Sequence, residues 1–142
     1  MNQRHQKMIS KSKTIVLGIL VLALFSFKPE AKGHHYKIIL FEGSDWCLNC
    51  IRLERNVLTD DIFIRFMAYK DISLERIDFP QRKAQSVSTK AYNSEMAEKY
   101  NFQGVFPTIL LIETSTGEQT KLEYVGQNSI DFIEQIKTHL IH

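Results

Sequence analysis

An α/β domain on a mixed sheet of about four strands, with helices on both faces, is the fold class that this sequence predicts. Three observations predict it. An apolar run, Ile38-Ile39-Leu40-Phe41, leads through a helical pattern after Cys50 to a second strand pattern at Ile72 to Asp78, a β-α-β order. Two later strand patterns, Ile109 to Ile112 and Lys121 to Val125, are joined by Ser115-Thr116-Gly117, which reads as a hairpin turn. A closing helical pattern from about Ser129 places Phe132, Ile136 and Leu140 four apart, with Ile133 beside them. A parallel opening unit and an antiparallel hairpin in one sheet make that sheet mixed.

The chain of 142 residues suits one domain with a substantial core. Both cysteines fall in one short motif, which argues against a disulfide-stapled scaffold. The formal charge of +2 belongs to the N-terminus, because Arg4, Lys7, Lys11, Lys13 and Lys28 precede Pro29 and no acid does. Without those five of 18 basic residues, 13 face 16 acids, so the remainder carries about −3 and gives no case for nucleic-acid binding.

The basic start is followed by Thr14 to Phe27, a run without charge, which is the layout of a secretory signal. Its 14 residues fall short of the ~20 expected of a spanning helix. No small-x-small cleavage site stands out: Pro29 lies two before Ala31, and Leu24 two before Ser26. No cysteine follows the run, which argues against a bacterial lipoprotein anchor. Residues 1–28 are expected to be a signal peptide or an uncleaved membrane anchor, with the basic end cytoplasmic and the domain on the other side.

Residues 29–35 read as a linker and 36–142 as the domain. His34 and His35 are read as solvated linker residues in preference to metal ligands. Tyr36 to Glu42 is the expected central strand, bounded by Gly43 and Ser44. A helix from about Cys47 to Leu58 places Leu53 and Val57 on one face. Capping side chains at Thr59-Asp60-Asp61 start a second helix from about Asp61 to Tyr69, with Ile62, Phe63, Phe66 and Met67 inward. Residues 81–91 are polar and read as an exposed connection with at most a helical turn. Asn93 is placed as the cap of a helix from Ser94 to Tyr100, packed through Met96, Ala97 and Tyr100.

The dithiol Cys47-Leu48-Asn49-Cys50 thus stands where a strand turns into a helix. Unpaired N–H groups and the positive end of the helix dipole stabilise a thiolate there, which suits a redox-active pair. Cys47, nearest the helix end, is the expected nucleophile, and Cys50 the thiol that resolves a mixed disulfide. Two other readings of the pair stay open: an inert buried disulfide, or part of a metal site. Structural zinc needs four ligands, and here the remainder would come from scattered histidines or carboxylates.

Trp46-Cys47-x-x-Cys50 after a buried strand, with Phe106-Pro107-Thr108 further on, resembles the thioredoxin-fold oxidoreductases, and most of all the exported bacterial thioredoxin-like proteins. The resemblance runs from about His35 to the C-terminus and implies a thioredoxin-like fold whose first β-α unit is reduced or missing. It implies a cis bond before Pro107, facing the dithiol, and a Phe106 backbone that pairs with extended substrate. It also implies that Trp46 shields or contacts the incoming disulfide; Asp45 is read as a solvated turn residue. Two departures stand out. Leu48-Asn49 replaces the Gly-Pro of thioredoxin, which leaves the potential open. The buried acid that thioredoxin carries six positions before its first cysteine corresponds to Phe41. Alternation points the neighbouring Glu42 to the opposite face, leaving solvent, or Glu42 on a bulged strand, to accept the proton of Cys50.

The expected function is a thiol-disulfide oxidoreductase of the cell envelope, by preference a reductase of protein disulfides, catalytic through Cys47 and Cys50. Trp46, Phe106 and Pro107 are its expected substrate-binding residues. No cofactor or metal is expected, since the electrons reside in the sulfurs. The expected partners are protein disulfides or dithiols and an electron donor or acceptor; a monomer is the expected state. The expected location is the periplasm, soluble or tethered to the inner membrane. The alternative is a binding module of the same fold, using the cysteines for copper or zinc or as a structural bridge.

Overall fold

The computed structural model describes residues 35–140; the expected leader, and His34 of the linker, lie outside the described residues. Strand β1 (Tyr36–Glu42) is buried from Ile38 to Glu42, consistent with a central strand covered on both faces. It pairs in parallel with β2 (Ile72–Asp78) and antiparallel with β3 (Thr108–Glu113). Strand β4 (Gln119–Leu122) completes a four-stranded sheet of order β2-β1-β3-β4. This is the mixed sheet the sequence predicts.

Between β1 and β2 run helix α1 (Leu48–Leu53), a π-helical continuation (Glu54–Leu58) and α2 (Asp61–Tyr69). Leu53 and Val57 are both buried, as their spacing predicts. Asp60 caps α2, its carboxylate accepting the Ile62 N–H at 2.7 Å. Phe63 and Met67 face the core, but Ile62 does not: it is 45% exposed, on the outer side of the first turn. Helix α4 (Ser129–Lys137), capped by Asn128, buries Phe132, Ile133 and Ile136 on the same sheet face.

The other face is covered by α3 (Val87–Lys99), and here the sequence reading is corrected. The helix starts at Val87, not Ser94, because Ser86 caps it by accepting the Thr89 N–H at 3.1 Å. Asn93 is not a cap but a buried mid-helix residue, whose Nδ2 donates to the Asp78 carbonyl at 2.6 Å. Its side chain thus binds a helix to a strand end instead of closing its own turn. The first turns of α3 are exposed and polar, so no apolar period marked them.

β4 is also displaced from the expected Lys121–Val125. Beyond Leu122 the chain leaves the sheet, and side-chain amides take over its backbone groups. Gln135 accepts the Glu123 N–H at 3.1 Å, and Gln127 bonds Val125 N–H and the Glu123 carbonyl at 2.7 and 2.8 Å. The facing strand has no donor to continue the ladder before Thr108, because Pro107 lacks an N–H. The Ser115-Thr116-Gly117 turn is as expected, with Gly117 at φ +75 and its N–H on the Glu113 carbonyl at 2.8 Å.

Candidate active site

Cys47 and Cys50 lie at the C-terminal end of β1 and are joined in a disulfide. Cys47 is the N-cap of α1: its backbone is extended, and its Sγ accepts the Cys50 N–H at 3.2 Å. Cys47 is 7% exposed and Cys50 1%, so Cys47 is the more accessible residue of the pair. Leu48, between them, is 61% exposed.

The loop that delivers the dithiol is a tight turn, with Trp46 and Cys47 N–H groups on the Gly43 carbonyl at 3.2 and 2.9 Å. The indole of Trp46 lies over Gly43; a Cβ there would stand 2.5 Å from Nε1 and Cε2 of the ring. Trp46 Nε1 donates to the Phe79 carbonyl at 2.8 Å, and its ring meets Phe106 edge to face, with centroids 5.3 Å apart. The Phe106–Pro107 peptide bond is cis, as the resemblance implies. Phe106 also packs against Phe79 and Phe102, so an aromatic cluster links the cis-proline loop to Trp46. The structure therefore ties Trp46 to Phe106, beside the cis-Pro107 and immediately before Cys47.

Asp45 lies in a turn and is partly exposed, as read from the sequence, but it is not merely solvated. Its carboxylate accepts three successive backbone N–H groups, Gln81, Arg82 and Lys83, at 2.9, 2.8 and 2.9 Å. Desolvation opposes its charge, but those three bonds and the Lys83 ammonium outweigh it and hold the carboxyl below the usual aspartate range. Asp78 completes the clamp: its carboxylate accepts the Ser44 N–H at 2.8 Å and the Ser44 hydroxyl at 2.7 Å. Residues 81–83, the start of the connection read as exposed, are exposed but have their backbone fixed against the dithiol loop.

Glu42 resolves the question of the buried acid. The strand is not bulged: Phe41 pairs with Ile77 and Glu42 with Asp78 in unbroken register. Alternation does put the two on opposite faces, but Phe41 lies with Ile39 on the α3 side. Glu42 continues the Ile38, Leu40 face, which is the face of α1. The buried acid beneath the dithiol helix is thus five positions before Cys47 instead of six.

Glu42, 2% exposed, is held by Arg76, whose Nε and Nη2 donate to it at 2.6 and 3.0 Å. Arg76 Nη2 also donates to Glu54 at 2.6 Å. The Glu42 bonds, against the cost of burial, and then the Glu54 bond raise the pKa of the Arg76 guanidinium above its ordinary value. These three side chains line a cavity of about 400 Å³ together with Cys50, Arg55 and Lys83. Nothing in the periodicity of β2 announces Arg76 as a partner; the signal available was a charged residue within the Ile72–Asp78 strand pattern, four after Ile72 on the same face.

The fold and the dithiol at a strand-helix junction define a class, and the comparisons agree. The chain belongs to the thioredoxin-like family, whose domain model matches residues 28–140. Among curated proteins it is similar to the disulfide bond reductase DsbH of Chlamydia pneumoniae, 27% identical over 112 residues, which cover 78% of this chain and 66% of that protein. The match therefore spans just under two thirds of that relative's length. Among solved structures it is similar to a DsbH oxidoreductase, 25% identical with a TM-score of 0.66, over 74% of this chain and 72% of the other. The oxidised C-terminal domain of Neisseria meningitidis DsbD is 13% identical with a TM-score of 0.52, over 89% and 94%, and shows likeness of fold alone.

Proposed function

We propose that this protein is a thiol-disulfide oxidoreductase that reduces protein disulfides in the cell envelope. The observation that carries the reading is the Cys50 N–H aimed at Cys47 Sγ at the start of α1, above a buried Cys50. An N–H donor and a helix start favour the thiolate at Cys47 over the thiol. The similarity to a disulfide bond reductase supports the direction.

The reaction starts from the reduced pair. The Cys47 thiolate attacks one sulfur of the substrate disulfide, forming a mixed disulfide and releasing a substrate thiolate, which takes up a proton. Cys50 loses its proton and attacks Cys47 Sγ, which closes the Cys47–Cys50 disulfide and frees the second substrate thiol. Two electrons pass from the pair to the substrate, and a dithiol donor returns them. Glu42 and the Arg76 it binds share the cavity of Cys50, and this charged cavity is the outlet for the Cys50 proton. Trp46 and the Phe106–Pro107 loop form the docking edge, the Phe106 backbone pairing with extended substrate. No cofactor or metal enters this cycle.

The basic and then apolar start of the chain supports export, with cleavage or retention of that segment setting whether the domain is free or tethered. A binding module remains the alternative, but no observation favours it: among the described residues, no group of three or more His, Cys, Asp or Glu side chains is placed to hold a metal ion. The test is the pair of single cysteine variants. Cys47→Ser should abolish exchange, whereas Cys50→Ser should accumulate mixed disulfides visible on a non-reducing gel. Full exchange activity in Cys47→Ser would refute the assignment.

A further inference from the structure

The charges around the dithiol differ in how they are paired. Each acid near it already has a bonded partner, although Glu54 and Asp45 remain partly exposed. Glu42 and Glu54 are bound to Arg76, Asp45 to three backbone N–H groups, and Asp78 to Ser44. Of the cations there, Arg76 is bound to the two glutamates. Arg55 and Lys83 are exposed, line the mouth of the cavity that holds Cys50, and form no ion pair among the described residues. Arg52, also exposed, bonds only the Asn49 side chain, at 3.4 Å.

Two elements supply this edge. Arg52 and Arg55 come from the helix that follows the dithiol, whereas Lys83 is brought in by the Asp45 clamp on residues 81–83. At the opposite end of the sheet, the β3–β4 hairpin carries Glu113 and Glu118. A domain with more acids than bases from Pro29 onward thus leaves Arg55 and Lys83 without an ion-pair partner among the described residues beside the cavity that holds Cys50.

We propose that Arg55 and Lys83 form a basic docking edge that selects substrate segments carrying Asp or Glu beside the disulfide to be reduced. The proposal rests on the oxidoreductase reading and adds the substrate class. Unpaired cations beside the site raise the local concentration of acidic segments, an effect that acts on encounter and fades with salt. The Asp45 clamp fixes the backbone at Lys83, because three N–H bonds hold the turn that carries it.

The experiment uses the reduced protein and two disulfide-bridged peptides identical except for flanking Asp and Glu in one and Lys and Arg in the other. At low ionic strength the acidic peptide should be reduced about tenfold faster per unit concentration, and the ratio should approach unity as salt is raised. The ratio should reverse in Arg55→Glu/Lys83→Glu and level in the milder Arg55→Gln/Lys83→Gln, which keeps the result readable if charge reversal harms folding. Equal rates for the two peptides in the native protein, or an unchanged ratio in both variants, would overturn the docking edge while leaving the oxidoreductase reading in place. Reduction of neither peptide would overturn both.

Discussion

The two faces of the sheet are packed with different chemistry. Beneath α1, α2 and α4 the larger core is mainly aliphatic, with Ile38, Leu40, Leu53, Val57, Ile109, Leu111, Ile133 and Ile136, and its five rings, Tyr36, Phe63, Phe66, Tyr124 and Phe132, are a minority. On the α3 side, Phe41, Phe79, Phe102, Phe106 and Tyr100 form a continuous aromatic cluster. The aliphatic face carries the dithiol helix, and the aromatic face supports the cis-proline loop. Aliphatic burial is strong but non-directional, so the thiols take their orientation from backbone bonds and the Cys47 cap. Ring contacts have preferred geometries, and they set the cis-proline loop against Trp46. The dithiol and the cis-proline loop are thus positioned by separate means.

The largest effect that tests this division is loss of a buried side chain from either face. Phe41→Ala should cost about 3–5 kcal/mol, and Leu53→Ala about 2–5 kcal/mol, in denaturant titrations. They should differ in what they do to Trp46, the only tryptophan in the chain. Phe41 stacks on Phe102 with centroids 4.4 Å apart, and Phe102 meets Phe106 at 5.0 Å, so Phe41→Ala should shift Trp46 emission. Leu53→Ala should leave the emission of the folded state nearly unchanged. Equal shifts in both would break the comparison.

A smaller effect is expected where the aliphatic face ends in charge. Glu42→Gln weakens the bond to Arg76 at the edge of that core. The guanidinium is 39% exposed, so the loss should be about 1–3 kcal/mol, below the 3–5 kcal/mol of a fully enclosed pair. Glu54→Gln, at the exposed side of the same guanidinium, should cost under about 1 kcal/mol. Urea titrations that rank the two in the opposite order would show that the buried acid is not the anchor of the triad.

The smallest effect concerns the bond that joins α2 to α4. The Asp60 carboxyl is held below its ordinary pKa by the Ile62 N–H, then by the Ser129 hydroxyl at 2.9 Å. A folded pKa below the unfolded one gives stability that is present above the ordinary aspartate value and is lost as the pH falls through the lowered one. Ser129→Ala should therefore lower the melting temperature at neutral pH and converge on the native protein in acid. A gap that is constant with pH would show that the hydroxyl bond does not depend on the Asp60 charge.

What the sequence made legible follows from the kind of signal each region carries. β1, α2 and β2 have apolar patterns with charged or capping residues at their ends, and their expected limits agree with the structure. Cys47, Cys50 and the cis bond before Pro107 were accessible because a short motif and a resemblance mark them. Residues 79–93 were not, because they are held by polar side chains acting on distant backbone: Asp45 on residues 81–83, Gln85 and Asn93 on the Asp78 carbonyl. Such bonds have no period along the chain. Glu42 was placed on the face opposite Phe41, as found, but which of the two faces lies under α1 is set by packing and not by alternation alone.

The claim that Cys47 and Cys50 form a working redox couple is tested most directly by equilibrating the protein with dithiothreitol or glutathione buffers and measuring the fraction of each state. The account predicts a reversible two-electron couple near the thioredoxin value of about −270 mV, as suits a reductase. A value near about −120 mV would reverse the direction of electron flow proposed here. Thiols that fail to equilibrate, or that hold a metal ion instead, would contradict the account and restore the binding module.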